Sequence, residues 1–392
     1  VKEKALITGM GCISGAGINL EETMKHIYAG IRPPVGAPQR FSCKLDRQYP
    51  VFEVKGNENL ATNLSFYFAE KASMEALADA GLDEGKLPDA RVGVFLGSTA
   101  GCFFNKEDYY RDIRANKSAD RAYLAEVLLN SSTAHQIARK FGLKGPALTI
   151  SNACASGTDA IGIASKMIEN GTCDIAIAGG ADEIVRMVYL GFISLMNTSG
   201  SPCAPFSKSR SGLNLGEGAG ICVLESASSA EKRGAVSLGS IAGYSSVSDS
   251  YHVTAPEPSG RGLKSAFREA LEQAGIEPGD VSFISAHGTG TIENDRVEGC
   301  VISDIFGRDI PVAATKAYTG HSLGAAGAIQ AVLCARSLLD KKISGAPDYT
   351  DFDPDCGITL HAGNREISGR YACSSSLAFG GINSVLVIEG FL

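Results

Sequence analysis

Apolar and polar positions alternate in blocks along this chain. Short apolar runs such as "KALITGMGCIS" (Lys4 to Ser14) and "GEGAGICVLES" (Gly216 to Ser226) have the length and continuity of buried strands. Between such runs, apolar residues recur at helical spacing. "EKASMEALADAGLDEGKLPDARVGVFLGSTAG" (Glu70 to Gly101) reads as a helix, an Ala-Gly-Leu stop, an acidic loop and a strand. "KSAFREALEQAGIEPGDVSFISAHGTGT" (Lys264 to Thr291) has the same grammar and ends in a Gly/Thr-rich turn. Gly81 and Gly275 stand where each helix calls for a left-handed C-terminal cap.

The recurrence continues in order. A short strand, a turn and an Ala/Gly-rich helix follow in "GPALTISNACASGTDAIGIASKMIENG" and again in "IPVAATKAYTGHSLGAAGAIQAVLCARSLL". Each series closes on a glycine-rich turn and an apolar strand, "GEGAGICVLES" and "FGGINSVLVIEG", and "KALITGMGCIS" is matched near the second start by "VSLGSIAGYSS". Alternating strands and helices predict an α/β fold with buried sheets. The repeated order predicts two similar halves, residues 1–230 and 231–392, meeting near "SASSAEKRGA". If pseudo-symmetry relates them, equivalent loops meet at their interface, and "SNACASGTDA" and "AYTGHSLG" face one site.

Composition narrows the class. The chain has 392 residues, 44% apolar and 20% charged, with a net charge of −7, which argues against nucleic acid as a partner. No apolar run reaches the ~18 residues of a membrane span, and the N-terminus reads as a buried first strand instead of a signal peptide. Eleven cysteines without regular spacing and without CxxC make no disulfide framework, and six dispersed histidines make no zinc site. A reduced, cytoplasmic setting is expected.

One cysteine differs from the rest. Cys154 sits in "SNACASGTDA", among small residues at the start of a helix whose Ala/Gly-rich character marks it as buried. Free N–H groups and the macrodipole at that end favour negative charge, so the thiol is expected to be shifted down toward thiolate. Cys173, Cys222, Cys334 and Cys373 lie in or beside apolar runs and read as packing. Two histidines, His287 in "SAHGTGTIENDRVEG" and His321 in "TKAYTGHSLGAAGA", occupy glycine-rich turns, one of them the counterpart of the cysteine turn. His26, His135, His252 and His361 lack that setting and read as structural.

The ordered set "ACASG", "PFSKSRSGLNLGEGAG", "AHGTGT…ND…E", "TKAYTGHSLGAAGA" and "AFGGIN" resembles the β-ketoacyl-acyl-carrier-protein synthases, and within them the elongating type II kind of the thiolase-like superfamily. The likeness runs over almost the whole chain. It implies a thiolase-like fold of two pseudo-symmetric βα halves in five αβαβα layers. It implies an acyltransferase that condenses an enzyme-bound acyl thioester with malonyl-acyl carrier protein, releasing CO2 in fatty acid or polyketide-type biosynthesis. Cys154 then corresponds to the acyl-bearing nucleophile, and His287 and His321 to the pair that promotes decarboxylation. Lys316 corresponds to the active-site lysine, Glu298 to its accompanying acid and Phe379 to a gate. Thr289 and Thr291 correspond to residues lining the path of the phosphopantetheine arm, and Thr254, Gly380 and Gly381 complete the substrate contacts. No metal or cofactor of the enzyme's own is implied, since phosphopantetheine belongs to the partner carrier protein. A homodimer is implied, with a heterodimer as the alternative.

Elementary chemistry agrees with these correspondences. Loss of CO2 from a malonyl thioester leaves an enolate, which two imidazole N–H donors stabilise, and backbone N–H groups of Cys154 and Phe379 offer a hole for the later oxyanion. A positive Lys316 nearby would keep the histidines neutral; alternatively Lys316 and Glu298 form a buried structural ion pair. Some positions depart from the family's habit. "AFGGIN" stands for the commoner GFGGTN and "RSG" (Arg210 to Gly212) for RDG, "MNTSGSPCAPF" lacks an arginine before "PFSK", and "VKGNENLATNLSFYF" (Val54 to Phe68) is nearly uncharged. These bear on the carrier's identity and not on the catalysis. Three other readings stay open: a nucleotide-binding oxidoreductase from "ITGMGCISGAG", a degradative thiolase using Cys373, and a non-condensing partner subunit.

Overall fold

The apolar, glycine-rich run at the chain's start forms β1 (Ala5–Ser14), which lies at the middle of the sheet and not at an edge. The computed structural model describes residues 3–56, 63–82, 87, 91–101, 114–115, 132–347, 351 and 353–391. In chain order, α1 (Leu20–Tyr28), α2 (Leu64–Asp79), β2 (Val92–Gly97), α3 (Thr133–Lys140), β3 (Ala147–Ile150), α4 (Ser156–Glu169) and β4 (Ile175–Asp182) follow. Then come α5 (Arg186–Ser194), β5 (Gly218–Ser226), α6 (Ala227–Arg233), β6 (Gly239–Ser248), α7 (Arg261–Ala274) and β7 (Val281–Ser285). The last elements are α8 (Ile292–Phe306), β8 (Val312–Ala313), α9 (Lys316–Thr319), α10 (Ala326–Leu339), β9 (Lys342–Ile343), β10 (Arg365–Glu366), β11 (Tyr371–Ala378) and β12 (Ile382–Gly390).

Strand order in the large sheet is β3-β2-β4-β5-β1-β6-β12-β11-β7-β8. From the β3 edge inward the pairings are parallel, parallel, antiparallel and antiparallel, and from the β8 edge inward they run the same way. Among the described residues the two series are joined in the sheet by Leu6 with Ser240 and Ile7 with Gly239. β9 and β10 pair separately.

Both faces of these strands are covered, so their side chains divide among three cores. Val94 and Ile177 pack with Leu64, Phe68 and Ala72 of α2. Phe95 and Ala178 point the other way, onto Ile161 of α4 and Val332 of α10. Phe267 and Ala270 of α7 close the far side against Val385 and Cys373. The fold is thus the thiolase-like αβαβα arrangement, with α4 and α10 as the middle layer. Burial on every face explains why those two helices are almost free of charge. Among the described residues no helix is long and apolar enough to cross a membrane.

Gly81 and Gly275 follow α2 and α7 with φ of +67° each, the left-handed stop that the sequence calls for. Gly9 and Gly11 have a different use from the phosphate loop of a dinucleotide site. They lie within β1, where an added Cβ would come 2.1 Å from the carbonyl oxygens of Ala76 and Ala72. They let α2 press onto the strand, which removes the basis of the oxidoreductase reading. Residues 57–62 of the nearly uncharged stretch Val54 to Phe68 lie outside the described residues.

Candidate active site

Chain reversal between β3 and α4 creates the cysteine turn. Ala153 takes φ of +46°, a region that disfavours side chains, and its carbonyl accepts hydrogen bonds from Ser156 N and Ser156 Oγ at 3.2 and 2.6 Å. Asn152 Nδ2 donates to Asp159 at 2.6 Å, and Ser384 Oγ and Tyr244 OH donate to the other oxygen of that carboxylate. A Cβ on Gly157 would meet the Gly324 carbonyl oxygen at 2.7 Å and Ala328 at 2.8 Å, so glycine is what lets α4 and the start of α10 touch. This contact brings the cysteine and histidine turns together.

Cys154 lies two residues ahead of α4, whose N-cap is Ala155, and is 6% exposed. The expected downward shift of its thiol is not found. Burial pushes it up to about 11, despite the Lys316 charge and the N–H groups of Phe379 and Cys154 directed at the sulfur. Desolvation of a thiolate outweighs the helix end. Cys154 shares this value with Cys203, which also feels the Lys316 charge and is raised to about 11, while Cys222 is pushed up to about 12 and Cys12 and Cys373 further still.

Beyond β7 the His287–Thr291 turn is gripped from below by α8. His287 N and Gly288 N donate to the Glu298 carboxylate at 2.7 and 2.8 Å, while Thr289 N and Gly290 N donate to Asp295. Glu298 also accepts from Ser375 Oγ at 2.7 Å, and burial raises it to about 7. Lys316 opens α9, and its ammonium donates to the His287 carbonyl at 2.5 Å and to Gln330 Oε1 at 3.1 Å. No direct Lys316–Glu298 ion pair forms, because the Glu298 oxygens are taken by backbone and serine donors. Burial brings Lys316 down to about 8.

Both imidazoles are buried, and their tautomers follow from their neighbours. His287 Nδ1 lies 3.2 Å from the Lys316 ammonium, which has only hydrogens to offer, so Nδ1 accepts and Nε2 carries the proton. His321 Nδ1 accepts from Leu323 N at 3.1 Å, with the same result. Leu323 has φ of +53°, and the next N–H, that of Gly324, donates to Asp182 at 2.7 Å. Burial, then the Lys316 charge, lowers both histidines, His321 to about 3 and His287 well below its ordinary value. The rings stand perpendicular with centroids 5.3 Å apart.

A cavity of about 260 Å³ joins these parts; Cys154, His287, His321, Thr254, Phe379 and Gly381 are in its wall, as are Thr289 and Thr291. Lys316 and Glu298 lie behind His287, outside the wall, and Gly380 is exposed on the outer side of its turn. Gly380 and Gly381 have φ of +89° and +75°, so "AFGG" reverses sharply after β11. Phe379 stacks on Phe192 at 5.5 Å, and Phe192 reaches His321 at 6.3 Å. Phe192, Asp182 and Gln330 are site components that the sequence reading passed over. Only Gln330 carried a signal, as a lone amide in an apolar helical run. Cys373 is fully buried in β11 and absent from the wall, where Cys154 is the one cysteine among the described residues, which disfavours the thiolase reading that uses Cys373. Among the described residues no group of three His, Cys, Asp or Glu is placed to hold a metal.

A buried cysteine facing two neutral imidazoles, on this fold, defines a thioester-handling site. The chain belongs to the β-ketoacyl synthase family: residues 2–230 match "Beta-ketoacyl synthase, N-terminal domain" and residues 238–349 "Beta-ketoacyl synthase, C-terminal domain". It is 34% identical over 409 residues to 3-oxoacyl-[acyl-carrier-protein] synthase 2 of Staphylococcus aureus (strain COL), covering 99% of each. Among solved structures it is similar to the ishigamide ketosynthase/chain length factor, with a TM-score of 0.94, 32% identity and full coverage of both chains. It is similar also to a type II polyketide synthase assembly of an acyl-carrier protein with its ketosynthase bound to the hexaketide, with a TM-score of 0.91, 28% identity and full coverage of both.

Proposed function

We propose that this protein is a 3-oxoacyl-acyl-carrier-protein synthase, joining an acyl group held on Cys154 to the two-carbon unit of a malonyl thioester with loss of CO2. The observation that carries this is the pair of buried imidazoles, each with Nδ1 occupied by a donor and Nε2–H left for the cavity that Cys154 lines. In the first step Cys154 attacks the acyl thioester, the carrier thiol leaves, and the cysteine's proton goes to it. In the second, the C–CO2 bond of the malonyl thioester breaks and its electron pair passes to the thioester oxygen as an enolate, held by His287 and His321. The enolate carbon then attacks the Cys154 thioester. That attack forms the carbon–carbon bond and moves the carbonyl π pair onto oxygen, where backbone N–H groups of Cys154 and Phe379 receive the oxyanion; its collapse re-forms the carbonyl, breaks the carbon–sulfur bond and frees the sulfur, which takes up a proton. Lys316 keeps the imidazoles neutral, Glu298 fixes the His287 turn, and Phe379 against Phe192 forms the gate.

The partner is an acyl carrier protein, as the relative solved with its carrier supports; we place the path of its phosphopantetheine arm past Thr254, Thr289 and Thr291, which line the cavity. We read residues 1–230 and 231–392 as two halves, a division supported by the mirrored strand order. The outer edge of β3, where Leu148 is 43% exposed, is our candidate for the dimer contact. We take the compartment to be the reducing cytoplasm, as cysteines without regular spacing or CxxC in the sequence suggest. A non-condensing subunit is disfavoured by the intact Cys-His-His set. Mass spectrometry after incubation with a panel of acyl carriers tests the reading. An acyl mass is expected on the peptide carrying Cys154, and its absence across the panel, with no CO2 released from malonyl carrier, would refute it.

A further inference from the structure

Asp182 ends β4, fully buried, and its carboxylate is shared between two distant segments. Oδ1 accepts from Ser98 Oγ at 2.7 Å, Ala100 N at 3.0 Å and Gly101 N at 3.1 Å. Oδ2 accepts from Thr99 N at 2.8 Å and from Gly324 N at 2.7 Å. Four of these donors are backbone N–H groups, two on each oxygen. An amide in this place would turn its own hydrogens onto two of them, whichever way it lay. A carboxylate accepts from all five.

Both arms of this network end on the turns that carry the reacting groups. Gly324 follows Leu323, whose N–H donates to His321 Nδ1 at 3.1 Å. An added Cβ on Gly324 would come 2.7 Å from Asp182 Oδ2 and 2.7 Å from Thr99 N, so this glycine lets the histidine turn rest on the segment after β2. On the other arm, Thr99 Oγ1 donates to the Ala153 carbonyl at 2.9 Å. Ala153 holds the positive φ just ahead of Cys154, and the same carbonyl is gripped by Ser156. One carboxylate therefore reaches the histidine turn directly and the cysteine turn through a single threonine.

We propose that Asp182 is a positioning residue that sets the cysteine and histidine turns relative to each other, steering Cys154 through Thr99 and His321 through the Gly324 N–H. The inference rests on the condensing reading above and deepens it. Asp182 lies outside the cavity wall and touches no substrate.

The test compares wild type, Thr99→Val, Asp182→Asn and the double variant at pH 8, where the Asp182 carboxyl, raised by burial to about 6, is ionised. Two rates are followed. One is acylation of Cys154 by acetyl-, hexanoyl- and decanoyl-N-acetylcysteamine, read by intact mass; the other is CO2 release from malonyl-N-acetylcysteamine. Thr99→Val removes one hydrogen bond and should slow acylation about three- to tenfold, with CO2 release within about twofold of wild type. Asp182→Asn should lower both rates, each by about tenfold. Its loss of charge would by itself favour the thiolate, since the Asp182 carboxylate pushes the Cys154 thiol up. Because Asp182 acts on the cysteine through Thr99, the double variant should acylate no more slowly than Asp182→Asn. Acylation that falls by the product of the two single losses overturns the inference, as does an Asp182→Asn protein that melts earlier but keeps either rate. Nitrogen-15 histidine spectra add a readout that lost stability would not give. In Asp182→Asn, His321 should lose its single Nε2–H form, while His287, whose Nδ1 faces Lys316, keeps its own. Should Asp182→Asn fail to fold, unaltered acylation in Thr99→Val overturns the inference alone. A wild type inert in both assays fails the condensing reading instead.

Discussion

The cysteine turn before α4 and the histidine turn before α10 use one backbone device for opposite ends. Each forces a non-glycine residue to positive φ, Ala153 at +46° and Leu323 at +53°, and each leads toward a helix of the buried middle layer. In the first turn the strain aims a thiol at the Phe379 N–H, and the side-chain network behind it runs through Asn152 and Asp159. In the second the strained residue is itself the device, because the Leu323 N–H caps His321 Nδ1. In the function we propose, one turn presents a nucleophile and the other fixes a proton on a ring. The lesson is that a repeated scaffold sets where chemistry happens, while a few local hydrogen bonds set which chemistry.

The comparison breaks most sharply at the cysteine. Cys154→Gln should abolish condensation, a loss of more than about 10³-fold, yet still release CO2 from a malonyl thioester, because the histidine turn is untouched. Product analysis and CO2 release on the same sample check this; loss of both would mean that the turns do not act separately. From the other side, His287→Ala and His321→Ala should each lower CO2 release by roughly 10²–10³-fold, the usual cost of one oxyanion donor. Acylation of Cys154 should survive better than CO2 release in both, as intact-mass measurement can show. Thiol titration sharpens the contrast at a smaller scale. With Cys154 raised to about 11, its alkylation by iodoacetamide should climb about tenfold per pH unit between pH 7 and 9. A rate already level at pH 7 would restore the thiolate that the helix end first suggested.

Much of the fold was legible because period and punctuation survive in sequence. The glycine stops at 81 and 275, the β1 run and the all-apolar α10 needed only local reading. The site was legible in part, since the glycine-rich turns advertise Cys154, His287 and His321. The thiol shift was misread because sequence reveals a helix end but not how much water the fold removes. Glu298 was offered a lysine partner, whereas the backbone of the His287 turn takes its oxygens, and no spacing rule shows where a carboxylate will find its donors. Asp182 collects Ser98 Oγ and the N–H groups of Thr99, Ala100, Gly101 and Gly324 from segments more than eighty residues away, a convergence that exists only after folding.

Three milder substitutions probe the scaffold that the turns share. Gly157→Ala drives a methyl into Gly324 O and Ala328, which are mostly backbone and cannot step aside. The expected loss is about 1–3 kcal/mol in denaturant unfolding, after any helix-propensity gain. Condensation should fall with it, since this contact sets the distance between the turns. The smallest effect, and the most discriminating, is expected from Ala153→Gly and Leu323→Gly. Glycine relieves a side chain at positive φ but adds freedom to the unfolded chain, so each should change stability by less than about 1 kcal/mol. Their activities should nonetheless diverge. Ala153→Gly keeps every N–H that aims at the thiol, so acylation should hold. Leu323→Gly keeps the N–H but frees its direction, so CO2 release should drop about two- to fivefold through a less firmly capped His321. Equal behaviour of the two would mean that strain alone, and not the ring cap, distinguishes the histidine turn.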